Sequence, residues 1–175
     1  VILIGEVRSR ETMEHALAFA ETGHLCLCTM HANNANQALD RIIHFFPTER
    51  RDQLWMDLSL NLQAMVAQQL IPAPDANGRK ACIEILINTP LVSDMIRKGD
   101  VHNLKEQMSK SREQGMQTYE QALFDLYKGG QITYEDALAH ADSSNDLRLL
   151  IKLNKDDEFS AGGFKMEGAS EEEEF

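Results

Sequence analysis

Val1-Ile2-Leu3-Ile4-Gly5-Glu6 and His24-Leu25-Cys26-Leu27-Cys28-Thr29-Met30-His31 are the two stretches that decide the fold. In the first, four apolar residues run without a break into Gly5-Glu6, as in a strand buried on both faces of a parallel sheet. The second is a similar strand. Between them Ser9 can cap a helix, Met13, Ala16, Leu17 and Ala20 recur at helical spacing, and Gly23 stands where helices end. Strand, helix, strand in that order makes a crossover and forces parallel pairing. Parallel pairing brings Glu6 and His31 to one C-terminal sheet edge, where open α/β sheets bind ligands. His24 then lies toward the opposite edge.

A strand buried on both faces needs neighbours and covering helices. Too few strands follow to supply them, so the chain is expected to be the C-terminal part of a larger protein, cut inside its sheet. Downstream, His31 to Asn36 is a polar turn able to cap a helix marked by Ala38, Leu39, Ile42 and Ile43. Pro47 breaks that helix, and Thr48 is expected to cap a longer one with Leu54, Leu58, Leu62, Met65 and Val66 as its stripe, ending near Leu70. Leu70-Ile71 and Ala81 to Ile87 flank the turn residues 72–78 and read as a hairpin.

From Thr89 the pattern is helical. Thr89-Pro90 starts a helix that Gly99 closes, and Val101, Leu104 and Met108 suggest a further turn or two. Thr118-x-x-Gln121 and Thr133-x-x-Asp136 resemble capping boxes on either side of Gly129-Gly130, and Leu147, Leu150 and Ile151 mark a last helix. The expected organisation is an α/β core over 1–88, a helical subdomain over 89–154 and an acidic, disordered tail over 155–175.

The 175 residues carry 17 Lys and Arg against 28 Asp and Glu, a net charge of −11. Most of that surplus sits in the last twenty residues, so the body is only mildly acidic. A broad nucleic-acid surface is disfavoured. No apolar run is long enough to span a membrane and no export signal opens the chain. Three cysteines suit a reducing compartment; Cys26, Cys28 and Cys82 read as small buried apolar residues without a partner set for zinc.

A carboxylate at the end of a buried strand is how nucleotide hydrolases hold magnesium or orient the attacking water, so Glu6 is the first candidate. It can equally cap a turn or pair with Arg8. His31 at the same edge can hydrogen-bond a phosphate oxygen or be a satisfied structural histidine. His24 carries the same two readings from the far edge.

Ile-Leu-Ile-Gly-Glu-Val-Arg, Ala-Glu-Thr-Gly-His and Thr-Met-His resemble the Walker B and histidine boxes of the type II/type IV secretion ATPases. The likeness continues through Asp40-Arg41-Ile42-Ile43, Phe46-Pro47 and Gly115-Met116-Gln117-Thr118, spanning about residues 1 to 153. Within that superfamily it is similar to the type IV pilus retraction (twitching motility) family, PilT/PilU. Ser9 and Asp57-Leu58-Ser59-Leu60-Asn61-Leu62 point to the PilU branch.

The resemblance implies the C-terminal part of a RecA-like P-loop ATPase core followed by helices. It implies a homo-hexameric motor with ATP and Mg2+ as cofactors, and Glu6 as the Walker B glutamate acting on magnesium through water. His24 and His31 would be the histidine-box residues, with Glu6, Arg8, Glu11 and Thr29 at the nucleotide. The implied setting is cytoplasmic, peripheral at the inner-membrane base of the pilus. The implied partners are a PilT-like retraction ATPase and the platform protein, with neither nucleic acid nor membrane insertion.

Two departures bear on this. The phosphate loop Gly-x-x-x-x-Gly-Lys-Ser/Thr is not in these residues, so the chain alone is expected neither to bind ATP tightly nor to hydrolyse it. The helix 91–98 reads Leu-Val-Ser-Asp-Met-Ile-Arg-Lys where PilT has Ala-Ile-Arg-Asn-Leu-Ile-Arg-Glu, which suits an accessory motor dependent on PilT. Two alternatives stay open. One is a secretion or pilus-extension ATPase, against which the absence of a downstream tetracysteine set counts. The other is a catalytically idle subunit that completes a ring or docks on the platform.

Overall fold

The structure, a computed structural model, describes residues 1–74 and 78–161, with side chains through Asn154. Strand β1 (Ile2–Ile4) pairs in parallel with β2 (Cys26–Cys28), in the register Ile2 to Cys26 and Ile4 to Cys28. Helix α1 (Arg10–Glu21) makes the crossover. Its start is fixed by the Ser9 side chain, which accepts from the Thr12 amide, and Gly23 turns the chain out of it at φ +85°.

Helix α2 (Ala35–His44) begins at Asn34, whose side chain accepts from the Gln37 amide at 2.9 Å. It buries Ala35, Leu39, Ile42 and Ile43. A 3-10 turn, Thr48–Arg50, leads into α3 (Arg51–Asn61), so Thr48 opens that turn rather than capping the helix.

The expected helix to Leu70 is corrected here. Leu62 turns extended at ψ 135°, and residues from Ala64 onward form β3 (Ala64–Pro72), paired antiparallel with β4 (Arg79–Ile87) from Ala64–Ile87 to Pro72–Arg79. The hairpin is thus longer than its turn residues announce. The segment before residue 119 extends this sheet locally, with Ile85 and Gln117 exchanging backbone hydrogen bonds at 2.8 and 3.0 Å.

Among the described residues five α-helices follow, α4 (Pro90–Arg97), α5 (Leu104–Lys110), α6 (Tyr119–Lys128), α7 (Tyr134–His140) and α8 (Ser144–Ala161), with a 3-10 turn, Arg112–Gln114, between α5 and α6. Thr89, Thr118 and Thr133 cap α4, α6 and α7 with their side chains, and Thr118 with Gln121 forms a full capping box. Helix α8 runs past Asn154, where the helical part was expected to end; the rest of the expected acidic tail, 162–175, lies outside the described residues.

Two hydrophobic cores result. The first joins α1, α2 and α3 to α4 and α5 through Leu39, Leu58, Leu86, Ile96, Leu104 and Met108. The second packs Ile71 and Cys82 of the hairpin against Tyr119, Leu123, Ala137 and Leu147. Helices α4 and α5, beyond residue 88, share the first core with α1 to α3. Trp55, the single tryptophan, packs on that core, and a Cβ at Gly99 (φ +69°) would meet its Nε1 at 3.2 Å. The three tyrosines belong to the second core's helices, with Tyr127 and Tyr134 rings 5.8 Å apart.

The strands β1 and β2 differ from expectation in burial. Leu3 is 75% exposed and Leu27 49%, because only two strands pair there among the described residues and nothing covers that face. Cys28 is exposed and Cys26 half-buried for the same reason, and only Cys82 is the buried apolar cysteine expected of all three. Burial pushes the Cys82 thiol up to about 12, with Glu120 and Glu84 nearby adding to it.

Candidate functional site

The C-terminal edge of β1 and β2 gathers Glu6, His31 and Arg8. The backbone sets it: Val7 N–H donates to Thr29 O at 2.9 Å, and the Thr29 hydroxyl donates to Gly5 O, continuing the pairing past the strands. His31 Nε2 lies 3.0 Å from Glu6 Oε1, and Arg8 binds the other carboxylate oxygen. The Arg8 hydrogen bond holds the Glu6 carboxyl below its ordinary range against the opposing effect of partial burial, with Arg8, His31 and Arg41 charges assisting. An ionised carboxylate only accepts, so Nε2 of His31 carries the hydrogen between them.

The His31 loop is itself held. Arg41 Nη1 donates to the His31 carbonyl at 2.7 Å, and Asn33 N–H donates to Gln37 Oε1 at 3.2 Å. The imidazole is 76% exposed while the Glu6 side chain is only 21% exposed, so the edge faces open space with its acid sheltered behind the histidine. This is an acid whose charge is fixed, next to a donor that can be redirected to an incoming oxygen.

Other sequence candidates fall elsewhere. Thr29 sits in the site through its bond to Gly5. Glu11 is exposed in the first turn of α1, away from the pair's contacts. His24 precedes β2, at the end opposite His31. Its Nδ1 is 3.2 Å from the Thr22 hydroxyl and its ring meets Phe19 edge-on, so the structure does not bring it to Glu6. A cleft of about 250 Å³ between α1 and α3, lined by Glu14, Leu17, Phe46, Arg50, Leu54 and Asp57, holds none of the candidates.

Among the described residues no group of three His, Cys, Asp or Glu is placed to hold a metal ion. Glu6 offers one hard oxygen donor set, already engaged by His31 and Arg8. That fits magnesium only through one of the waters that ion keeps, since it commonly uses one or two carboxylates beside substrate phosphates. Arg8 and Arg41 place two guanidinium groups at this edge, the kind of donor that binds phosphate oxygens.

Sequence reasoning missed Arg41 as a brace and, more importantly, Glu84. The signal for Glu84 was present: strand alternation puts it on one face with Cys82 and Leu86, and all three are buried at 1%, 2% and 0% exposure. A carboxylate on an apolar face demands partners.

Residues 1–76 match the family model for "Type II/IV secretion system protein". The chain belongs to the type IV pilus retraction ATPase family of that superfamily. It is 72% identical over 156 residues to the Type IV pilus ATPase PilU of Pseudomonas aeruginosa, covering 89% of this chain and 41% of that protein. It is 38% identical to the Twitching motility protein of Neisseria gonorrhoeae, covering 84% and 39%. Among solved structures, the pilus retraction motor PilT with bound ADP matches at TM-score 0.76 and 36% identity, covering 84% of this chain and 41% of that one. The chain thus spans about two-fifths of the length of the relatives it matches. Among the described residues no helix is long and apolar enough to cross a membrane.

Proposed function

We propose that this chain supplies the Glu6–His31 part of a nucleotide site in a motor ATPase that drives type IV pilus retraction and twitching motility. In this reading the motor is a homo-hexamer that works beside a PilT-like ATPase and docks on the platform protein at the cytoplasmic face of the inner membrane. The supporting observation is the 3.0 Å approach of His31 to an ionised Glu6 at the sheet edge where ligands of such folds bind. The names of the relatives, a type IV pilus ATPase and a pilus retraction motor with bound ADP, agree with it.

ATP with Mg2+ supplies the phosphoanhydride bond and the cation that screens it. Glu6, its charge preserved by Arg8, would orient the attacking water and would hold Mg2+ only through one of that ion's waters. His31 donates from Nε2 to Glu6 and is placed to pass that hydrogen bond to a phosphate oxygen. Thr29 and Arg41 hold the two strand ends in place. Glu11, exposed in the first turn of α1, and His24, at the opposite strand end, take no part at this edge. The phosphate-binding loop is not among these 175 residues, so the site is completed by other residues of the motor.

ATP hydrolysis by the full-length protein, with Glu6→Gln as comparison, tests this. The expected loss is roughly 10²-fold or more, the worth of a positioned proton acceptor. An unchanged rate overturns it in favour of a subunit that only completes a ring or binds the platform.

A further inference from the structure

Glu84 is 2% exposed, a carboxylate inside the protein. Its Oε1 accepts from the Ala35 amide at 2.8 Å, the first residue of α2. The Tyr119 amide, first residue of α6, also favours its charged form. Two helix N-termini, each with unpaired amides and a positive dipole end, therefore converge on one acid. Burial alone would push this carboxyl up, and these amides, with Lys105 nearby, work against that.

A second layer of polar contacts surrounds it. Asn34, the cap of α2, donates Nδ2 to Asp142 Oδ2 at 2.8 Å. Lys105 Nζ reaches the same Asp142 oxygen at 3.2 Å and Glu120 Oε1 at 3.1 Å. Glu120 Oε1, on a residue 6% exposed, accepts from the Ser143 amide at 3.0 Å. Burial works against the charge on Lys105, but Glu120 and Asp142 outweigh it and hold its ammonium above the ordinary range. The start of α2 is thus fastened to β4, α5, α6 and the turn before α8. His31 stands immediately ahead of that fastening, with three residues between it and Ala35.

We propose that Glu84 and Asp142 are positioning residues for His31, fixing the short loop that presents its imidazole to Glu6 and tying that loop to the helices beyond the hairpin. Neither touches the reacting groups. Glu84 acts through Ala35 and Asp142 through Asn34. A shift of α5, α6 or the turn before α8 is then carried into the His31–Glu6 pair through two hydrogen bonds, Ala35 to Glu84 and Asn34 to Asp142. The catalytic consequence rests on the function proposed above; the anchoring does not.

Two readouts test this. In the 175-residue chain, amide hydrogen exchange at Ala35, Gln37 and the residues 32–34 is compared among wild type, Glu84→Ala, Glu84→Gln and Asp142→Ala. Losing a bond to a buried charge speeds local exchange about 10-fold or more. The expected result is that increase in Glu84→Ala and Asp142→Ala, with β3–β4 amides unchanged, and recovery at Ala35 in Glu84→Gln, which keeps an acceptor oxygen. Asp142 lies at the surface side of the cluster, so Asp142→Ala keeps the test alive if Glu84→Ala does not fold.

In the full-length protein Glu84→Ala and Asp142→Ala are expected to lower kcat toward the His31→Ala value, and Glu84→Gln to restore it, while KM for ATP stays within about 2-fold, since binding is not what the loop controls. Unchanged loop exchange in a folded variant overturns the anchoring. Loosening spread equally over the hairpin reduces these residues to general stability and overturns the positioning role, as does a loosened loop with unchanged kcat. Hydrolysis indifferent to Glu6→Gln instead sinks the proposed function, while the exchange data still decide the anchoring.

Discussion

Two glutamates of this chain are perturbed in opposite directions, and the directions follow from what surrounds each. Glu6 is held low by Arg8 and stays ionised wherever a histidine titrates. Glu84 is pushed up, chiefly by burial, with two amides limiting the shift. A carboxyl raised in the folded state contributes stability that is fully present below its unfolded value and is lost as pH rises through the folded value. Replacing Glu84 with Gln removes that titration. The stability difference between Glu84→Gln and wild type should therefore move in favour of Gln as pH rises from about 4 to about 8. Urea unfolding followed by circular dichroism across that range measures it, and a flat difference refutes the burial account. Glu6 and His31 were legible in the sequence because each closes an apolar run, and parallel strands must end on the same side. The burial of Glu84 could have been read from strand alternation, but the partners of Glu84 and Asp142 could not, because Ala35 and Asn34 lie far away along the chain and only the fold brings them near.

At the scale of elements, side-chain caps were the most readable signals. Ser9, Asn34, Thr89, Thr118 and Thr133 each accept an amide two or three residues into a helix. The capping box at α6 has further importance, because it delivers the Tyr119 amide toward Glu84 while Gln117 is bonded to β4. Thr118→Ala should cost about 1 kcal/mol, the usual worth of such a cap. Denaturant midpoints by circular dichroism read this, and a change within a few tenths would show that the sheet contact alone fixes the helix start. The junction of α3 and β3 was the least readable. Leu54, Leu58, Leu62 and Met65 keep a helical stripe, while residues from Ala64 to Pro72 also alternate in burial. Periodicity supports both readings there, and pairing with β4 decides between them.

Among the described residues there are two packed cores and one sheet with an uncovered face. Leu3 and Leu27 are register partners on β1 and β2, and with Val1 and Leu25 they leave an apolar face open to water. Such a face binds other apolar surface. The 175-residue chain should therefore bind a hydrophobic dye, and the double change Leu3→Ser with Leu27→Ser should reduce that binding while leaving helix content intact. Undiminished dye binding would place the exposed apolar surface elsewhere. Expected burial of these strands came from their composition alone, which reports what a segment suits and not what stands beside it. The placement of the aromatic residues has its own consequence. Trp55 lies in the first core and all three tyrosines in the helices of the second, so indole and phenol emission report on separate halves of one chain. Only the indole can be excited alone, and its melting set against the loss of helix content shows whether the two halves melt together or in turn, with no label added.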